Sequence, residues 1–532
     1  MGLQQFAVSI YKNPFTFLFF AVLICYILVY MPYGLEDGDM GTIVSISWSM
    51  YNGYFPHLDF VYIKPPFSPY FHSWPFYISE TYGYLINRTM YYLQIFLYSL
   101  WAIKILCREF NIERRDTVYF LALLGALISI HDYPPMPWNT VDGVFFTILG
   151  AWFLLKPKHK WFHIALGAFF VSLAVLCKQS FFFVPVLLVV YFLLKKDFRQ
   201  SIYFILYGLF FAMLYVGIIY INGAFDAMWE QLFSFTTSSS FKRTGFLSYI
   251  DSLRLYPWIV LGYLAIVFTV RYFANKNTVF AVVLAGPAIC FLYIYLTEEN
   301  YGLLKQVLIQ AMWMLATGFT FLKSLQNKQY RMLLLFLGFG WCASISNGFN
   351  TPVDFSAPIL FAFFVFSYSE TYTLKKSVGL ASIAVFLALF YLGYQTPYLD
   401  SPRKELTYNM GEVFPQLKGI KSDAETFNKY KELKHLASKY DNFTILPSVT
   451  LGHYLTNTKN PIGVDWVFNH HLADQIPEYI NKLEDKDVTV FLENFENHAN
   501  NYEETSTLTM YVKENWQLVA TYDYFRIYQK QR

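Results

Sequence analysis

Apolar residues along this chain come in long blocks, broken by short polar or turn-rich stretches, until about residue 395. The blocks span approximately 15–33, 89–107, 117–131, 141–155, 161–177, 180–194, 201–221, 256–274, 278–296, 306–322, 332–346, 355–370 and 377–395. A helix needs roughly 20 apolar residues to cross a bilayer. Several blocks are shorter, so one pair is open to a re-entrant reading. Beyond 396 the pattern changes. "AETFNKYKELKHLASKY" (424–440) has helical periodicity, whereas "FTILP" (443–447), "VTVFLE" (488–493), "WQLVATY" (516–522) and "YFRIYQ" (524–529) are short strand-like runs. The predicted fold class is a mainly α polytopic membrane protein of about thirteen spans, residues 1–395, followed by a small extracytoplasmic α/β domain, residues 396–532.

The polar breaks give an orientation. With "YKN" (11–13) on the cytoplasmic side, every second connection should be basic. Those connections are "CREFNIERRD", "KPKHK", "KKDFR", "RYFANKN", "KSLQNKQYR" and "TLKK", and all are basic. The opposite connections are acidic, aromatic or neutral by comparison. Three long segments fall on that outer side: 34–88, 222–255 and the tail.

Composition agrees with this picture. Of 532 residues, 55% are hydrophobic and 21% aromatic, and only 14% are charged, against about 25% in ordinary soluble chains. A net charge of +3 does not suggest a nucleic-acid partner. The five cysteines lie in or at the ends of apolar blocks, with no CxxC motif or disulfide framework, as buried small hydrophobes would. The first block is long and lacks a small-residue cleavage site after it, so it is expected to be retained.

The unusual chemistry sits where the first block ends. "GLEDGDMGTIV" (34–44) places Glu36, Asp37 and Asp39 within four residues. Clustered carboxylates repel one another, so at least one should have a raised pKa or meet a cation. Asp39 is a suitable N-cap for a short helix over 39–53, stopped by Asn52-Gly53 and able to lie on the membrane surface. That leaves Asp37 as the better base, with Glu36 behind it. The loop continues through "YFPHLDFVYIKPPFSPYFHSW" (54–74), which supplies His57, Asp59 and Lys64, and a second surface helix is expected before re-entry near Tyr91.

A long outer loop opening with "EDGD", then a helix, then "GYFPHLDF…KPPF" resembles the first outer loop of GT-C-type glycosyltransferases, which include the protein O-mannosyltransferases and the lipid A aminoarabinose transferase. Gly53, Asp59, Lys64, Pro65 and Pro66 fall on the positions of that family's turn and Lys-Pro-Pro segment. The order Glu36-Asp37-Gly38-Asp39 departs from the family's opening acid, which Glu or Gly usually follows. The string "TILPSVTLGHYLTNTKNPIGVDWVF" (444–468) is similar to the tail of bacterial members. The resemblance implies an enzyme of the inner membrane that transfers a hexose or pentose, with inversion, from a polyprenyl-phosphate donor to a glycan, lipid or protein acceptor on the outer side.

Such a reaction needs a carboxylate to take the acceptor's proton, cations for the departing phosphate, and an apolar groove for the lipid. Asp37 is the expected base, so Asp37→Asn should abolish transfer; Asp59 is expected to orient the acceptor or steady positive charge on the ring. Basic residues on the outer side are few. Lys64, Arg88, Lys178 with Gln179 in "LCKQSFFF", and Lys242 and Arg243 in "FKRTG" are the candidates for phosphate, with His57 and Asp132 beside them. A lysine at a turn between apolar blocks has a partner or a function, unless it snorkels to headgroups. No ligand spacing is diagnostic of a metal, so a divalent ion stays open as a cofactor. The competing class is a transporter or flippase for a lipid-linked saccharide. It calls for internal repeats and ionisable or broken midspans, whereas the charges here gather at block ends.

Overall fold

The computed structural model describes residues 13–531 apart from 131–134, 157–159, 234–242, 256, 298–302, 347–349, 351, 369–373, 396–399, 473–474 and 495–505. Each of the thirteen apolar blocks contains a helix. The first, Pro14–Cys25, begins where Asn13 accepts the N–H groups of Phe15 and Thr16 at 3.0 and 3.1 Å, and it runs on as a π-helical turn, Tyr26–Tyr30. Among the described residues, four stretches are long and apolar enough to cross a membrane: Gly83–Glu109, Phe198–Ile221, Lys276–Tyr293 and Lys376–Gln395. The other apolar helices are shorter.

Two of the four show how one composition serves two positions. Gly83–Glu109 is 78% buried along its apolar window and forms the centre of the bundle, whereas Phe198–Ile221 is only 11% buried. The latter turns Ile202, Leu206, Phe210, Met213 and Ile221 outward, each more than half exposed. An apolar helix with so little protein around it needs another apolar surrounding, and hydrocarbon supplies that.

The tail forms two small sheets. Strands β1 (Tyr408–Asn409) and β2 (Lys421–Ser422) pair antiparallel. Strands β3 (Phe443–Leu446), β4 (Thr489–Glu493), β5 (Gln517–Thr521) and β6 (Phe525–Gln529) lie in the order β3-β4-β6-β5. β3 and β4 run parallel, and the other two pairings are antiparallel. The helix Ala424–Lys439, capped by Asp423 on the Thr426 N–H at 2.7 Å, buries Tyr430, Leu433 and Leu436 in the same apolar core as Phe443, Phe491 and Ile527 of this sheet.

The first loop carries both expected helices, Asp39–Tyr51 and Phe67–Ile78. Asp39–Tyr51 does not lie on a membrane surface. Its apolar residues Met40, Ile43, Val44, Ile46 and Trp48 are buried, with Trp48 edge-on to Tyr454 of the tail at 6.1 Å. Gly41 permits the close approach. A Cβ there would stand 2.1 Å from the Thr450 hydroxyl oxygen and 3.2 Å from Leu451. A backbone bond from Val61 N–H to the Gly463 carbonyl at 2.9 Å ties the second half of the loop to the tail. Gly463 has φ +74°, and a Cβ on it would sit 2.7 Å from the Asp59 carbonyl oxygen. Loop and tail thus share one wall.

Candidate active site

The three clustered acids take three different positions. The chain bends at Gly38, and Glu36 folds back over the start of the Asp39–Tyr51 helix. Its carboxylate accepts the N–H groups of Gly38, Asp39 and Met40 at 2.8, 3.1 and 2.5 Å. Glu36 is therefore the cap, and the capping role expected for Asp39 is corrected: Asp39 is the first residue of the helix, where a side chain no longer reaches back to those amides. Burial raises the Glu36 carboxyl, as does the Asp39 charge, while the amide donors of Met40 and Gly38 oppose the rise.

Asp37 points into the tail. Its carboxylate accepts the Tyr430 hydroxyl at 2.5 Å, the Leu451 N–H at 2.8 Å and the Thr450 hydroxyl at 3.1 Å. Nearby, Lys429 pairs with Glu493 at 2.5 Å, and Glu493 also accepts the Ser448 N–H and hydroxyl at 3.0 and 2.6 Å. Burial pushes the Asp37 carboxyl up to about 6, against the pull of the Lys429 ammonium and the Tyr430 and Leu451 hydrogen bonds. With both oxygens engaged by the tail, Asp37 joins loop to tail.

Asp39 turns the other way, into a cleft of about 610 Å³ of open space. Its walls are the Asp39–Ile46 face of the loop helix, the loop segment Phe60–Lys64, Asn139, and Gly463–Trp466 of the tail. Among the described residues the Asp39 carboxylate has no hydrogen-bond partner. Lys64 lines the same cleft and reaches the Asn139 side-chain oxygen at 3.4 Å. Asn139 begins the helix Asn139–Leu154 and donates to the Tyr62 hydroxyl and the Cys177 carbonyl at 2.7 and 3.0 Å. Next to it, Thr140 accepts the Lys178 ammonium at 3.0 Å. Burial, then the Lys64 charge, pull the Lys178 amine down to about 7, with Asp354 and Asp39 opposing. Lys64 and the helix N-terminus at Asn139 thus line the cleft with one free carboxylate, Lys178 stands next to them on Thr140, and Ile43, Ile46, Val61, Ile63 and Val464 supply apolar surface.

The remaining expected residues are distributed differently. Gln179 donates to the Ile63 carbonyl at 2.7 Å, which fixes the loop segment 60–64 against the Lys178 turn. Asp59 accepts the Phe55 N–H at 2.8 Å and pairs with Lys459 at 3.2 Å, at the edge shared with the tail. His57 is buried at φ +69° and meets the Gln231 side-chain oxygen at 2.8 Å. That oxygen also accepts the Tyr62 N–H at 3.1 Å, so the ring nitrogen donates. Burial drives His57 down to about 4, so it packs as a neutral ring and not as a phosphate cation. Arg88 also departs from its expected role. It is fully buried and donates to the carbonyls of Tyr33 and Gly34, shaping the backbone that leads into the acids. Arg243 is exposed, on the turn Arg243–Leu247. Asp132 and Lys242 lie outside the described residues. Among the described residues, no group of three or more His, Cys, Asp or Glu side chains is placed to hold a metal ion.

Sequence reasoning missed Thr140, Asp465 and Trp466 as cleft neighbours. "PWNT" marks a helix start, but nothing local marks which loop that start faces.

No protein-family model matches the chain, and no curated protein matches it. Among solved structures the chain is similar to the archaeal oligosaccharyltransferase AglB from Archaeoglobus fulgidus, in complex with an inhibitory peptide and a dolichol-phosphate, at 10% identity and a TM-score of 0.43 over 89% of this chain and 69% of that one. It is also similar to ArnT from Cupriavidus metallidurans in the apo state, at 12% identity and a TM-score of 0.44, with 96% of this chain and 97% of that chain covered. The same ArnT bound to undecaprenyl phosphate gives 11% identity, a TM-score of 0.44 and the same coverage.

Proposed function

We propose that the chain is a membrane glycosyltransferase that moves one sugar, hexose or pentose, from a polyprenyl-phosphate carrier to an acceptor hydroxyl at the outer face of the membrane. The observation that supports this best is the meeting of one unpartnered carboxylate, Asp39, with two amines, Lys64 and Lys178, at the end of a bundle of apolar helices. An apolar cleft with cations at its base suits a lipid phosphate, and a carboxylate beside it suits deprotonation of a hydroxyl.

In this reading the acceptor oxygen forms a bond to the anomeric carbon from the face opposite the phosphate. The bond from that carbon to the phosphate oxygen breaks, and its electron pair leaves with the phosphate. Asp39 takes the acceptor's proton. Lys64 and Lys178 balance the charge gathering on the leaving group. Attack from the opposite face inverts the anomeric centre. The base is thus Asp39 rather than Asp37, because Asp37 already accepts three hydrogen bonds from the tail.

The test compares two isosteric changes in the full chain, assayed with labelled polyprenyl-phosphate sugars and envelope acceptors. Asp39→Asn should lower transfer by about 10²–10⁴-fold, the usual worth of a general base. Asp37→Asn should stay within about tenfold of wild type, since an amide oxygen still meets Leu451. Loss in Asp37→Asn with retention in Asp39→Asn would return the role to Asp37.

A further inference from the structure

Lys64 is carried by irregular backbone, so neither a sheet ladder nor a helical turn fixes where its amine points. The three residues before it are each held by a different part of the protein. The Val61 N–H donates to the Gly463 carbonyl of the tail at 2.9 Å. The Tyr62 N–H donates to the Gln231 side-chain oxygen at 3.1 Å, and the Ile63 carbonyl accepts the Gln179 amide at 2.7 Å. A pinned backbone still leaves a long lysine side chain several rotamers, and choosing one of them costs entropy.

Asn139 faces that side chain. It is 1% exposed, and both ends of its amide are engaged. The NH2 group donates to the Tyr62 hydroxyl at 2.7 Å and to the Cys177 carbonyl at 3.0 Å, and the oxygen faces the Lys64 amine at 3.4 Å. This orientation follows from the partners. A carbonyl accepts and an ammonium donates, so a flipped amide would lose both contacts. Cys177 directly precedes Lys178, and Thr140, which accepts the Lys178 ammonium at 3.0 Å, directly follows Asn139. Two consecutive residues at one helix start therefore hold two amines from distant parts of the chain. Like charges brought together repel, and after burial the Lys64 charge is the main influence that lowers the Lys178 amine. Amines held close against that repulsion favour an anion placed against both of them.

We propose that Asn139 is a positioning residue that keeps the Lys64 amine beside Lys178, so that the two bind one phosphate together. Its buried amide acts through Lys64 and not on the substrate itself. The inference rests on the glycosyltransferase reading and adds the residue that pairs its two cations.

The experiment measures undecaprenyl-phosphate binding to the full chain in lipid nanodiscs by titration calorimetry, across a range of pH. It compares wild type, Asn139→Leu, Lys64→Met and the double variant. Lys64→Met should weaken binding about tenfold, the worth of one hydrogen bond to a charged group. Asn139→Leu should weaken it by a similar factor in wild type, but by less than about twofold in Lys64→Met, where no Lys64 amine is left to position. The charged groups that act on Lys178 are Lys64, Asp354 and Asp39. With Lys64 released, Lys178 stays charged to higher pH, so affinity should begin to fall at higher pH in Asn139→Leu than in wild type. If Asn139→Leu does not fold, Tyr62→Phe removes the hydroxyl that orients the amide. It should show the same non-additive loss and the same displaced pH profile, at smaller size. Equal losses in both backgrounds, or a pH profile that does not move, make Asn139 a structural residue alone and overturn the proposal. Undecaprenyl phosphate bound as tightly by Lys64→Met as by wild type overturns instead the phosphate role of Lys64, and with it the glycosyltransferase reading of this site.

Discussion

Asp37 and Asp39 are two positions apart and point in opposite directions, because a bend and a helix start fall between them. The sequence shows that three acids are crowded together, and nothing local tells which one stays free. Asp37 meets Tyr430, which lies 393 positions along the chain, and no local pattern carries that contact. The cap was misjudged for a related reason. Ser, Thr, Asp and Asn are the usual caps, and here a longer Glu36 reaches the same amides across the bend at Gly38. Lys178 was legible as a lysine at a turn between apolar blocks, and its neighbour Thr140 was not.

The Lys178 amine gives a pH prediction. Its value of about 7 lies below the usual lysine range, so the free site loses this charge as pH rises through 7. Bound phosphate favours the charged form, so binding takes up a proton. Undecaprenyl-phosphate affinity should therefore fall from pH 6 to pH 8.5, as measured by titration calorimetry in two buffers of different ionisation heat. Lys178→Arg should flatten that dependence, because a guanidinium stays charged throughout. A Gly41→Val change tests the packing of loop on tail, since its Cβ would meet Thr450 at 2.1 Å. It should cost about 1–3 kcal/mol, seen as a lower melting temperature.

Among the elements, the apolar helices were legible almost to their ends because hydrophobic run length is a local property. In the tail, 424–440 became Ala424–Lys439 and 443–447 became Phe443–Leu446, whereas the helices Ile476–Asp485 and Thr507–Asn515 and the short strands β1 and β2 were not foreseen. What failed was the expected cover for the Asp39–Tyr51 helix. An amphipathic helix beside a membrane suits a lipid surface, but the tail occupies that face instead. The same gap hid an ion pair. Asp142 lies in the first turn of its helix, and Trp138 stands at the cap position without a side-chain bond. The Asp142 carboxylate meets His72 of the second loop helix at 3.0 Å and Gln94 of the central helix at 2.7 Å, with His72 and Asp142 fully buried. The other ring nitrogen of His72 meets the Asn87 side-chain oxygen at 2.8 Å. This pair joins three helices beneath Asn139 and Thr140. Removing one partner of a buried pair costs about 3–5 kcal/mol. His72→Ala should lower the melting temperature accordingly, and adding Asp142→Asn should restore part of it.

Across the whole molecule, the apolar core runs without a break from the bundle into the tail. The boundary near 395 marks a change in composition more than a separation in packing. The tail's strands could be found by alternation, but their order β3-β4-β6-β5 and their seat on the first loop depend on contacts far apart in sequence. A chain ended at residue 395 should leave the Asp39–Tyr51 helix without its cover. Limited proteolysis should then cut within residues 34–66 much faster than in the full chain, and equal cutting would mean that the bundle alone holds the loop.

The bond between Asp37 and Tyr430 also sets a schedule. At about 5–20 residues per second, a ribosome takes roughly 20–80 s to make the 393 residues between them. During that interval the acids have left the membrane, yet the surface that shapes them has not been synthesised. The nascent chain therefore closes this contact late, once its last quarter has emerged and folded, and a prematurely terminated product never makes it.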